Sequence, residues 1–185
     1  KEAVTDLVDV FAYQADEPAQ NDAITLKVVE FGKLSVSASG IIDSTSEDMF
    51  DTTKMGASFK ASDRLTVAAF HESDKDSVAD DVNTMGVSGG LTAGNIYVSA
   101  MWQSIDNGTN EVAYTYLASA YTVDSMTISG SLKSNDGNDS ATTRVGADYS
   151  FGANAVAYVD YSMANDAAEA AGENDTFATG VRVSF

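Results

Sequence analysis

Few side chains in this chain could do bond chemistry. His71 is the single histidine, and cysteine is absent. A histidine near a serine suggests a nucleophilic pair, because an imidazole can take the proton of a hydroxyl. No third member and no oxyanion site accompany His71, so hydrolysis has little support. The acid run "DKDSVADD" (residues 74–81) could bind divalent cations, yet it lacks the glycine and terminal glutamate of a calcium loop. No glycine-rich phosphate loop follows a strand and opens a helix. No metal site and no cofactor are expected.

The remaining candidates are charges, and their spacing is informative. Lys27, Lys54, Lys60, Arg144, Asp148, Asp160 and Arg182 each stand between apolar neighbours at a period of two. Such a spacing puts the charges on one face of β-strands and the apolar residues on the other. Ile24, Leu26 and Val28 alternate with Thr25 and Lys27, and Val145, Ala147 and Tyr149 with Arg144, Gly146 and Asp148. The same reading applies to Leu34–Ala38, Met55–Phe59, Leu65–Ala69, Met85–Leu91, Ile96–Trp102, Tyr114–Ala118, Met126–Leu132, Ala157–Tyr161 and Phe177–Phe185. Eleven strands are expected, with Tyr114, Tyr116 and Ala118 on the apolar face.

The connections fall into two sets. "EFGK", "ASDR", "LTAGN", "TVDS" and "SFGAN" are short. Residues 41–53, 71–83, 104–111, 134–141 and 163–176 form the long ones, and they hold most of the 28 acids. A meander with short turns at one end and long loops at the other is the plan of an antiparallel up-and-down transmembrane β-barrel.

Composition narrows the function classes. The 185 residues carry a net charge of −18, which opposes any role with nucleic acid. With 44% hydrophobic residues and 9% aromatics, the chain is rich enough to fold. No apolar run is long enough for a transmembrane helix, and no signal peptide opens the sequence, so the chain is expected to be mature or cut. A soluble β-sandwich would show the same alternation with its apolar face turned inward. Light apolar faces, long strands and the two loop classes favour the barrel.

Three stretches resemble general bacterial outer-membrane porins. "FATGVRVSF" (177–185) resembles the closing strand of such barrels, which typically ends on Phe. "NDAITLKVVEFGKLSVSASG" (21–40) is similar to the hairpin after the porin constriction loop, and "TDLVDVFAYQADEPAQ" (5–20) to that loop itself. The resemblance implies a sixteen-stranded barrel of which strands six to sixteen are present. Residues 1–22 would then be a constriction-loop segment, and 23–185 the meander, within one barrel portion.

It also implies a homotrimeric, water-filled channel in the outer membrane of a Gram-negative bacterium. The channel would pass small hydrophilic solutes and ions without catalysis. Outer-membrane lipid and lipopolysaccharide would surround it. In the family, acids on the loop face bases on the wall. That role falls to Asp6 and Asp9, with Asp16 and Glu17 behind them, and to Lys27 opposite. Lys54, Lys60, Arg64, Arg144, Asp148, Asp160 and Arg182 are further wall candidates, and Lys33 and Arg64 could be rim charges. Trp102, Tyr149, Tyr161 and Phe185 suit an interfacial aromatic girdle. Two alternatives remain: a substrate-specific channel, for which Tyr97, Tyr121 and Tyr158 are wall candidates, and a secreted or surface β-sandwich adhesin.

Overall fold

The computed structural model describes residues 23–41, 52–75, 81–152 and 154–183. Alternating sequence becomes eleven strands: β1 (Ala23–Phe31), β2 (Leu34–Ile41), β3 (Thr52–Lys60), β4 (Leu65–Asp74), β5 (Val82–Ala93), β6 (Ile96–Asp106), β7 (Glu111–Val123), β8 (Met126–Asn135), β9 (Ser140–Ser150), β10 (Ala155–Ala164) and β11 (Thr176–Val183). All are hydrogen-bonded in chain order in one sheet, and every pairing is antiparallel. A sandwich needs two facing sheets; the described residues form a single one, which the sandwich alternative does not predict. Within the described residues, β1 pairs only with β2 and β11 only with β10.

Tight turns set the registers. Gly94, at a φ of 62°, opens the two-residue link between β5 and β6. A hairpin that short needs a positive φ to match strand twist, and glycine adopts it without strain. The β5–β6 ladder then runs unbroken from Ala93↔Ile96 to Asn83↔Asp106.

Among the described residues no second layer covers the sheet, and they form no conventional core. Among the described apolar residues only Met101, Ala118 and Ala168 are buried. The large apolar side chains stand exposed on one face: Met55, Val87, Val145 and Val181 are 60%, 52%, 47% and 64% exposed. A soluble monomer rarely shows so continuous an apolar surface. The opposite face carries serine, threonine, tyrosine and charge.

Three expectations change. First, β7 has the other parity. Leu117 pairs with Ala100 and Leu132 and is exposed on the apolar face, as is Tyr121 between Ile96 and Ile128. Tyr114, Tyr116 and Ala118 therefore lie on the polar face, and Tyr121 does not. Tyrosine is amphipathic, so "YTYLASAY" can be read in either phase, and the registers with β6 and β8 decide it. Second, the strands extend into the expected long loops. Glu72 and Asp74 belong to β4, Asp106 to β6 and Glu111 to β7, so the connections 107–110 and 136–139 are as short as the turns 61–64 and 151–154. Third, the connection 165–175 holds a short helix, α1 (Asp166–Ala170). Asn165 caps it, its Oδ1 accepting from the Ala168 amide, and two alanines follow. Asn165 is a favoured cap residue and alanine a helix former, yet one turn is too short for periodicity to register.

Candidate functional site

The candidate site is the polar face of the sheet. It is built by alternation: every second residue of the described strands β2 to β11 projects there, at strand spacings of about 4.8 Å. Arg144 on β9 and Asp160 on β10 meet there. The Arg144 Nε donates to Asp160 Oδ1 at 2.7 Å, and its Nη2 donates to Oδ2, which makes the pair bidentate. Lys54 on β3 and Glu72 on β4 stand directly opposite, with Nζ 3.0 Å from Oε1. Cross-strand pairs of opposite charge support the sheet. They also neutralise each other, so these bases do not act as uncompensated positive charges.

Arg182 on β11 lies over the Tyr158 ring of β10, 5.4 Å from its centroid. Asp148 pairs in register with Tyr158 and Thr127 on the same face. Lys60 closes β3 and lies 3.3 Å from Asp63 in the turn 61–64. Arg64 belongs to that turn rather than to a strand, and Lys33 Nζ reaches across to the Ala61 carbonyl at 3.1 Å. Lys60, Arg64, Lys33 and Arg182 thus gather towards the short-turn end. Lys27 falls within the register shift between Leu26 and Val29; its side chain, like Asp6, Asp9, Asp16, Glu17 and Phe185, lies outside what the structure describes.

One cluster escaped the sequence reading. Lys133 on β8 lies 3.3 Å from Glu173, which belongs to the connection 165–175. Thr142 on β9 donates its hydroxyl to the other oxygen of Glu173. That hydrogen bond, with the Lys133 ammonium, holds the Glu173 carboxyl below the usual carboxylate range, although partial burial opposes the shift. Lys133 also lies 5.9 Å from the centroid of the Tyr114 ring, which stacks on Tyr116 at 6.3 Å. Lys133 was findable, since it shares parity with Ser129 and Ser131 in "SGSLKSN". Its partner in a distant loop was not.

The described girdle candidates, Trp102, Tyr149 and Tyr161, lie on the apolar face. Tyr149 stands near the short-turn end with its ring 5.0 Å from Phe151, edge-on. Tyr161 and Phe177 are paired near the long-loop end, and Trp102 pairs with Val87 and Thr115. Tyr161 keeps its hydroxyl in a polar setting by donating to Asp175 Oδ2 at 2.9 Å. Aromatics with an apolar body and a polar tip thus stand towards both ends of the strands. Among the described residues, no cluster of histidine and carboxylate side chains could hold a metal ion.

A single continuous sheet with one apolar and one polar face is what the comparisons match. The model of the Gram-negative porin family fits residues 3–169. The chain belongs to that family. Among curated proteins no sequence matches it. Solved porins share the fold. A porin refined at 1.8 Å resolution superposes with a TM-score of 0.70 at 17% identity, covering 92% of this chain and 64% of that one. A loop-L8 deletion mutant of OmpT, an outer membrane protein of Vibrio cholerae, gives 0.59 at 16%, covering 84% and 60%. A mutant of Rh. blastica porin gives 0.61 at 20%, covering 88% and 54%. The porin chain thus spans less than two thirds of the length of these structures. Membership places it in the outer membrane of a Gram-negative cell.

Proposed function

We propose that the chain forms most of the wall of a water-filled porin channel for passive diffusion of small hydrophilic solutes and ions. The observation that carries this reading is the two-faced sheet: exposed large apolar residues on one side, charges and hydroxyls on the other. In a bilayer the apolar face meets lipid and the polar face meets water. Open edges at β1 and β11 would leave backbone groups unpaired in hydrocarbon. In the working channel, further strands pair those edges and close the barrel. Residues 1–22 act as the constriction-loop segment and residues 23–185 as wall. Asp6 and Asp9, backed by Asp16 and Glu17, face Lys27 across the narrowing.

Transport here needs no bond to break, so the protein is no enzyme. Its mechanism is geometric and electrostatic: an aqueous path whose fixed charges weight the passage of ions. Lys54, Arg144, Asp148, Asp160 and Arg182 tune the wall, and the ion pairs among them limit the net field. Trp102, Tyr149, Tyr161 and Phe185 anchor the barrel at the lipid interfaces. The channel is a homotrimer, in keeping with the family resemblance, and its acidic loops meet lipopolysaccharide.

Reconstitution of the purified protein into planar lipid bilayers tests this. Stepwise, ohmic conductance in simple salt is expected, with equal access for small neutral sugars in vesicle-swelling assays. Absence of conductance from inserted protein would overturn it. Conductance that a single class of sugar blocks would favour a substrate-specific channel instead.

A further inference from the structure

The connection 165–175 joins β10 to β11, yet its side chains bind β8 and β9. With strands about 4.8 Å apart, it reaches back across roughly 10 Å of wall. It does so over the polar face, because Lys133 and Thr142, opposite each other in register, both project there. The connection is fixed at several points. Asn165 Oδ1 accepts from the Ala141 amide at 3.0 Å, and its Nδ2 donates to the Asp139 carbonyl at 2.9 Å. The Asn165 amide donates in turn to the Ala141 carbonyl at 3.0 Å. Ala168 in α1 is fully buried. Asp175 accepts from the Ala164 amide and from Tyr161 at 2.9 Å each. Glu173 is the point furthest along the wall, held by Lys133 and Thr142 beside Tyr114 and Tyr116.

We propose that the 165–175 connection is a fixed strap across the channel mouth, and that Glu173, seated on Lys133, sets ion selectivity there. A loop that turned away from the pore would place its carboxylates in bulk water. This one carries a carboxylate onto the wall, where any permeating ion must pass close to it. The strap holds Glu173 so that its charge meets the solute path while Lys133 partly compensates it. Loss of either partner leaves the other uncompensated at the mouth, so the two losses push selectivity in opposite directions.

The proposal rests on the polar face being the channel wall, and one experiment separates the two. The full-length porin is reconstituted in planar bilayers, and inserted channels carrying Glu173→Cys are treated with a positively charged, water-soluble thiol reagent. Ser131→Cys, on the polar face of β8, serves as the wall control. The current is expected to fall in discrete steps for both variants. A fall for Ser131→Cys alone overturns the strap and leaves the wall reading intact. A fall for neither overturns the wall reading. Two further variants read the charge directly. Glu173→Gln should shift the reversal potential towards anions and Lys133→Met towards cations. Each should also raise conductance as the strap loosens. Unchanged selectivity in both variants would remove Glu173 and Lys133 from the solute path.

Discussion

Arg144 and Asp160 show how little a base on the wall says about net charge. In the proposed channel, their bidentate contact would present a permeating anion with a dipole rather than a cation. Asp160→Asn should therefore release the guanidinium and turn the channel towards anions, whereas Arg144→Gln should turn it towards cations; reversal potentials in a salt gradient measure both. Glu173 adds a pH dependence. Its carboxyl is held below the ordinary value, first by the Thr142 hydroxyl and then by Lys133. A depressed folded value stabilises the seated carboxylate above the ordinary carboxylate range and loses that contribution as pH falls through the folded value. The conductance difference between wild type and Glu173→Gln should then persist from neutral pH through the ordinary carboxylate range and be lost only at more acidic pH. Gly86 makes a packing prediction. A Cβ there would collide with the Phe70 ring and stand 2.9 Å from the Trp102 carbonyl oxygen. Gly86→Ala should cost about 1–3 kcal/mol of folding free energy into detergent or lipid, read from urea titration.

At the scale of the strand, alternation is the whole design, and this made most elements legible. Apolar residues at period two in "LTVAAF" and "IYVSAMW" admit one phase, because the opposite phase would put leucine, isoleucine and valine on the charged side. β7 admits two phases, since tyrosine and alanine suit either face, and only its neighbours choose. Long strands are less legible at the loop end, where Glu72, Asp106 and Glu111 look like loop residues but sit in ladders. The Glu173–Lys133 contact was illegible, because no local pattern tells a loop which strand it will lie on. Lipid contact on the apolar face gives an element-scale expectation. Val98→Arg on β6 should destabilise insertion by about 2–4 kcal/mol near the bilayer centre, read as folding free energy into vesicles. Ser129→Arg on the polar face of β8 should leave that free energy nearly unchanged.

For the molecule as a whole, the strand order and the family leave one architecture: a meander whose two faces meet two solvents. The large negative charge of the loops gathers at one end, away from the short-turn end where Lys33, Lys60 and Arg64 lie. In the proposed channel that asymmetry would concentrate cations at one mouth, while the Lys54–Glu72 and Arg144–Asp160 pairs would limit the field along this part of the wall. Everything proposed about transport depends on which face meets water. The most direct measurement is a pair of adjacent cysteines in the reconstituted porin, Ile128→Cys and Ser129→Cys on β8, exposed to a charged water-soluble thiol reagent during single-channel recording. The account predicts a stepwise fall in current for Ser129→Cys and none for Ile128→Cys; block through Ile128→Cys with Ser129→Cys silent would contradict it.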